Sequence, residues 1–319
     1  MWVSAFSPSQ CADTFRTGTV FAGAGTTKEA HCGPRAGSRL DAEANQARRI
    51  LSLLVAILLG IVEGLTEYLP VSSTGHLILV SQFLGETSEG AKAFDIVIQL
   101  GAILAVVVHY HRLLGARLAG LLRREVASVR LATSLVVAFL PAAAVGFLLH
   151  KTIKAHLFGP LPVAFALFAG GVLMIVVERV RAKRQVHGLV GLEHVTPGRA
   201  LIIGLGQCFS LWPGSSRSMC TIVAGQATGL STGTAAEFSF LLALPTLGAA
   251  TVYEGLKARH ELASSVGGAQ LWAGMLVSFF VAWGVIAVFI RYLQRRGLEP
   301  FGYYRIALSA LVLWLALKG

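Results

Sequence analysis

Ile61-Val-Glu63-Gly-Leu-Thr-Glu67-Tyr-Leu-Pro70-Val-Ser-Ser-Thr-Gly-His76 is an apolar run that takes on two carboxylates, meets a proline and continues as small hydroxyl residues. The run leading into it, 50–69, is apolar enough to enter a bilayer, yet Pro70 has no N–H to give a helix and the residues after it favour turns. A helix that breaks at membrane depth needs protein or water to satisfy its freed backbone groups, so such a segment lines a cavity. A second stretch of the same kind, 200–212, breaks at Pro213.

The two breaks match each other. Pro70-Val-Ser-Ser-Thr-Gly75 aligns with Pro213-Gly-Ser-Ser-Arg-Ser218 at an offset of 143, and Gly60-Ile-Val-Glu63 aligns with Gly204-Leu-Gly-Gln207 at 144. Phe94 beside Asp95 answers Phe238 beside Glu237 at a similar distance. The sequence therefore predicts an internal repeat, about 50–180 and about 197–319, within a single membrane domain covering 48–319.

Composition agrees with lipid as the solvent. Of 319 residues 55% are apolar and 13% are charged, where a soluble domain carries about 25% charged residues. A single core stops growing at roughly 250–300 residues, so this much apolar side chain would have to coat the surface of a soluble fold. Further apolar runs lie at 93–111, 131–150, 157–178, 235–253, 262–290 and 301–317, against the roughly 20 residues a span requires. Those at 131–150 and 262–290 contain no Asp, Glu, Lys or Arg, and 157–178 has only Glu178 at its end. The runs at 93–111 and 235–253 carry Asp95 and Glu237, and the last begins beside Arg305, which is expected to snorkel to the headgroups. The expected fold is an all-α polytopic membrane protein with about six full transmembrane helices and two broken, re-entrant hairpins.

Lys plus Arg exceed Asp plus Glu by 11, but no basic block interleaved with aromatics marks a nucleic-acid surface, and none is expected as a partner. The four cysteines, 11, 32, 208 and 220, show neither a disulfide framework nor metal-ligand spacing. Mapped onto the expected spans, thirteen basic residues (Arg112, Arg117, Arg123, Arg124, Arg130, Arg179, Arg181, Lys183, Arg184, Arg199, Arg291, Arg295, Arg296) fall on one side and six (Lys92, Lys151, Lys154, Lys257, Arg259, Lys318) on the other. The positive-inside bias puts the first hairpin and the C-terminus outside the cytoplasm. Three spans between the hairpins make the repeat inverted. Residues 1–47, rich in Gly, Ala, Thr, Ser and charge, lack the apolar stretch of a signal peptide and read as a disordered tail. On this map the tail and Arg16, Lys28, Arg35, Arg39, Arg48 and Arg49 would have to cross the membrane, so the competing expectation is a true translation start near Leu51 or Val55.

Glu63 and Glu67, four apart on an apolar helix, project from one face, where intramembrane acids mark ion, proton or substrate sites. They can share a proton or hold a divalent cation, or, in the plainer reading, sit among headgroups. Ser72, Ser73, Thr74, Gly75 and His76 supply hydroxyl nucleophiles beside a group that titrates near neutrality, or else serines that cap the next helix. Arg217, among Ser215, Ser216, Ser218 and Thr221, suits bidentate capture of phosphate at a helix start, or an ion pair with Glu63 or Glu67.

Glu63-Gly-Leu-Thr-Glu67, Pro70-Val-Ser-Ser-Thr-Gly-His76 and Trp212-Pro-Gly-Ser-Ser-Arg-Ser218 with Thr221 resemble the signature motifs of the undecaprenyl-diphosphatase family, the bacitracin-resistance membrane phosphatases. The resemblance runs in order from about residue 50 to the C-terminus and takes in Phe94 to Leu104 and Glu237-Phe-Ser-Phe-Leu-Leu-Ala243. Met219 and Cys220 depart from the small residues usual there. The resemblance implies hydrolysis of undecaprenyl diphosphate to undecaprenyl phosphate and inorganic phosphate, which recycles the lipid carrier for cell-wall synthesis and gives bacitracin resistance. It implies a bacterial inner membrane, a site facing the periplasm or outside, and an isoprenyl diphosphate lipid as substrate; a homodimer is compatible with it. By motif, Ser73 is the nucleophile and His76 the base or acid, while Glu63 and Glu67 bind or position a divalent cation, Mg or Ca. Arg217 clamps the diphosphate with Ser216, Ser218 and Thr221, and Ser72, Thr74, Gly75 and Ser215 complete the substrate-binding set.

Inverted repeats with broken helices also build secondary transporters, so a carrier of an anionic substrate is the alternative class. The serine and histidine cluster discriminates, because a carrier needs ligands whereas hydrolysis needs a nucleophile and a proton acceptor.

Overall fold

The computed structural model describes residues 53–86, 89–157, 159–257, 259–260 and 266–318; the tail expected over 1–47 lies outside them. The described residues form eleven α-helices: α1 (Leu53–Thr66), α2 (Ser73–Phe83), α3 (Glu89–His109), α4 (His111–Leu122), α5 (Val126–His156), α6 (Pro160–Lys183), α7 (Pro197–Cys208), α8 (Arg217–Ala227), α9 (Thr232–Lys257), α10 (Gly268–Arg296) and α11 (Glu299–Lys318). Apart from one isolated bridge between Leu189 and Leu230, no β-structure occurs among them.

Five helices, α5, α6, α9, α10 and α11, are long and apolar enough to cross a membrane, and the α3–α4 pair makes six if counted as one span. The run expected at 93–111 does not simply end. It turns by 71° at Tyr110 and continues as α4, a helix that carries Arg112 and Arg117. The order in the second half of the chain, a broken pair followed by long helices (α7, α8, α9, α10, α11), repeats that of the first (α1, α2, α3, α5, α6).

Prolines act differently by context. Pro141 and Pro245 sit inside α5 and α9 without ending them. Both are followed by apolar or helix-tolerant residues, Ala142-Ala-Ala and Thr246-Leu, and membrane helices absorb such prolines through neighbouring groups. Pro70 and Pro213 are followed by residues that leave the right-handed region, with Ser72 at φ 75°, Gly214 at 90° and Ser216 at 69°. Of these four prolines, Pro70 and Pro213 accompany a break in the described helices and Pro141 and Pro245 do not.

Small residues set the packing, as expected where dispersion rather than water drives helix association. A methyl group on Gly60 of α1 would stand 2.6 Å from the Gly274 carbonyl oxygen of α10, and one on Gly204 of α7 would stand 2.5 Å from the Ala138 carbonyl of α5. Each broken helix of one half thus leans on a long helix of the other. Gly171 and Gly302 bring α6 and α11 equally close. Met219, an unexpected large residue, is buried against Gly170, whose missing side chain makes the room.

Arg305 does not snorkel. Its guanidinium is fully buried and donates to four backbone carbonyls: Pro70 (3.2 Å), Gly214 (2.8 Å), Ala166 (3.1 Å) and Leu167 (3.4 Å). The breaks free the Pro70 and Gly214 carbonyls inside the protein, and these, with two carbonyls of the continuous helix α6, receive the cation in place of headgroups. One side chain of α11 thereby ties the first break, the second break and α6 together.

Candidate active site

The two breaks end the same way. Ser72 caps α2, its hydroxyl accepting from the Gly75 N–H at 3.4 Å, and Ser216 caps α8, accepting from the Met219 N–H at 3.3 Å. The caps are 144 residues apart, so the offset of 143 read from the prolines slips by one: the second half reaches its proline a residue early and then inserts one. In the corrected register Ser73 and Arg217 are equivalents, each the first residue of its helix. Both helix starts present unpaired N–H groups and the positive end of a dipole, the local arrangement that holds anions.

Side chains from both breaks converge on Glu67. Ser73 Oγ donates to Glu67 Oε2 at 2.6 Å, and Arg217 Nη2 donates to Glu67 Oε1 at 3.1 Å. The ion pair is nearly dry, with side-chain exposures of 9% for Arg217 and 5% for Glu67, so it is not screened as a surface pair is. Arg217 Nη1 continues to α9, donating to the Ser239 carbonyl at 2.9 Å and its hydroxyl at 3.2 Å. The guanidinium also lies 5.7 Å from the Tyr68 ring centre, while the Tyr68 hydroxyl is anchored on the Ala102 carbonyl at 2.8 Å. Arg217 Nε is buried without a partner.

Glu63, one turn before Glu67, is buried, and its Oε2 has no hydrogen-bond partner. Both acids are thus enclosed by protein rather than turned outward. His76 Nδ1 lies 2.8 Å from the Ser72 carbonyl oxygen and Nε2 lies 2.6 Å from the Tyr304 hydroxyl. Ser73, His76, Ser216 and Arg217 are partly exposed and Thr74 is exposed, whereas Ser72, Gly75, Ser215, Ser218 and Thr221 are buried.

The buried hydroxyls are already engaged. Thr221 Oγ1 donates to the Arg217 carbonyl at 2.8 Å and pairs with Ser239 Oγ at 2.7 Å, while Ser218 Oγ donates to Leu69 O at 2.9 Å and lies 3.0 Å from Ser216 Oγ. Thr221 therefore braces the arginine, and Ser218 bonds one break to the other. Capping serines and the Arg217 ion pair, the plainer readings of these motifs, both occur, and they build the site rather than compete with it. Three contributors carried no chemical role in the sequence: Ser239, which looked like one hydroxyl in an apolar run, Tyr68 and Tyr304.

The chain matches the family model described as Bacitracin resistance protein BacA over residues 56–311, a stretch holding both breaks and every side chain named above. The chain belongs to this family. Relatives called undecaprenyl-diphosphatase include one from Sorangium cellulosum, 63% identical over 261 residues that cover 82% of this chain and 85% of the relative. Another, from Thermoanaerobacter pseudethanolicus, is 46% identical over 82% of this chain and 96% of its own length. A third, from Novosphingobium aromaticivorans, is 46% identical over 84% and 99%.

Proposed function

We propose that this chain is an integral-membrane phosphatase that hydrolyses undecaprenyl diphosphate to undecaprenyl phosphate and inorganic phosphate. The product is the lipid carrier returned for cell-wall synthesis, and a supply of it confers bacitracin resistance, in keeping with the family's description. One observation carries the reading: a hydroxyl, a buried carboxylate and a guanidinium, Ser73, Glu67 and Arg217, meet in hydrogen-bond contact at two helix starts.

Phosphoryl transfer needs charge neutralisation and an aligned nucleophile more than elaborate covalent chemistry. Arg217 turns its fork from Glu67 to the phosphoryl oxygens, with the N–H groups of the helix starts beside it. Ser73 passes its proton to Glu67 Oε2, the acceptor it already touches, and attacks the terminal phosphorus. The bond to the bridging oxygen breaks and undecaprenyl phosphate leaves. Water, deprotonated by His76, then cleaves the phosphoserine, and Glu67 returns its proton to Ser73 Oγ as phosphate leaves. Ser216 and Thr74 face the substrate, while Ser72, Gly75, Ser215, Ser218 and Thr221 hold the backbone that presents it.

Glu63 and Glu67 fit a magnesium or calcium ion of the kind held by one or two carboxylates together with substrate phosphate oxygens, because Glu63 Oε2 is buried and without a partner. Among the described residues no three His, Cys, Asp or Glu side chains gather as a metal site, so an ion held by Glu63 and Glu67 would need further oxygen ligands from outside that pair. Bound there, the ion supplies positive charge to the diphosphate. The excess of basic residues on one side supports a site that opens to the periplasmic or outer face of the bacterial inner membrane.

The test is phosphate release by the purified protein from a C55 isoprenyl diphosphate, with and without a chelator. Release that falls on chelation supports both the activity and the cation. No release from a folded preparation overturns the reading and favours a carrier.

A further inference from the structure

Both ring nitrogens of His76 are occupied, and the occupants differ in kind. A carbonyl oxygen, that of Ser72, faces Nδ1 at 2.8 Å; it can only accept, so Nδ1 carries the hydrogen. Nε2 then holds the lone pair, and the group placed to bond it is the Tyr304 hydroxyl of α11 at 2.6 Å. The two rings lie 5° from parallel, their centres 5.7 Å apart. Ser73 takes a different partner, Glu67 Oε2, so the histidine does not have the task of activating that hydroxyl.

We propose that Tyr304 is a positioning residue for the phosphatase reaction, its hydroxyl holding the His76 imidazole in its Nδ1–H tautomer with Nε2 toward α11 at the rim of the site. A hydroxyl suits both states of the ring. It donates to Nε2 when the ring is neutral and accepts from Nε2–H when the ring is protonated; the proton lost by water passes to the tyrosine oxygen as the tyrosine's own hydrogen passes to Nε2, so the imidazole need not turn over within a cycle. The mount is rigid. Arg305, the next residue on α11, is bonded to Pro70 O and Gly214 O, which fixes the register of α11 against both breaks. Tyr304 itself is 46% exposed, so the pair stands at the rim, outside the dry contact of Glu67 with Arg217. A tyrosine that served only to pack would have no need to direct its hydroxyl onto an imidazole at the edge of the site.

This inference rests on the assignment of His76 to proton transfer, and a double-mutant cycle separates the two. Tyr304→Phe keeps the ring and removes only the oxygen, so the fold and the ring contact persist. With C55 isoprenyl diphosphate and the purified full chain, Tyr304→Phe is expected to lower kcat about tenfold, the worth of one hydrogen bond, with KM nearly unchanged. His76→Ala is expected to lower kcat further, and the double variant to be no slower than His76→Ala alone, because the tyrosine acts through the histidine. Wild-type rates in Tyr304→Phe alongside a crippled His76→Ala would overturn the role of Tyr304 and leave that of His76 standing. Multiplying losses in the double variant would also overturn it, since the tyrosine would then act elsewhere. Wild-type activity in His76→Ala would remove the histidine assignment, and the proposal with it.

Discussion

Replacing Arg217 by lysine keeps the positive charge and removes the fork. In the structure the two Nη atoms span the site, one on Glu67 Oε1 at the first break and the other on the carbonyl and hydroxyl of Ser239 on α9. An ammonium is one point of charge on a flexible stem, so it can keep one of these sides but not reproduce a planar bridge, whether to Glu67 or to a diphosphate. A hydrogen bond to a charged group contributes about 1.5–3 kcal/mol. Losing one, with poorer alignment of what remains, costs roughly 2–4 kcal/mol of transition-state stabilisation, or about 10² to 10³ in rate. The assay is initial-rate phosphate release from a C55 isoprenyl diphosphate across substrate concentrations. Most of the loss should appear in kcat, since the fork tightens on charge that develops during transfer. Arg217→Lys with nearly wild-type kcat/KM would refute the clamp and leave the arginine a structural ion pair.

Glu63→Gln and Glu67→Gln should each depress activity and weaken its dependence on added Mg or Ca, because an amide is a poor ligand for a hard cation; metal titrations unchanged in both variants would contradict a shared cation role. Glu67→Gln should be the worse of the two, since Glu67 alone touches Ser73 and Arg217, and the double variant should be little worse than that single one. Arg305→Met should leave the buried Pro70 and Gly214 carbonyls at the breaks without this donor, at about 1–3 kcal/mol for each one that finds no other partner, and should lower the melting temperature in detergent as well as the rate. A chain beginning near residue 47 should insert and hydrolyse as well as the full one, and loss of activity on that truncation would assign the tail a role.

The two breaks were legible because proline followed by small hydroxyl residues differs locally from Pro141 and Pro245, which apolar or helix-tolerant residues follow. The pairing of Arg217 with a carboxylate of α1 was legible for a related reason: charge within an apolar run has to find a partner, and few were on offer. The Ser73–Glu67 contact was not, because His76, three residues on in the sequence, stood as the nearer base for that hydroxyl. The one-residue slip between the repeats was hidden because matching letters, two serines in each break, do not report which serine adopts a positive φ and caps the helix. Arg305 was misread because an arginine at the edge of an apolar run looks alike whether it turns to headgroups or inward; only the carbonyls freed by the breaks decide. Ser239 and Tyr304 gain their meaning from Arg217 and His76, 22 and 228 residues away. Nothing local in the sequence marks such partners.

Ser73→Ala removes one oxygen atom and leaves the Glu67–Arg217 pair, both helix caps and the packing of the breaks in place. Phosphate release from a C55 isoprenyl diphosphate by the purified wild-type chain and by this variant, side by side, tests most directly whether the meeting point of the two breaks is where hydrolysis occurs. The expected result is steady release by the wild type and near-background release by Ser73→Ala with its melting temperature unchanged. Equal release by the two proteins would contradict it.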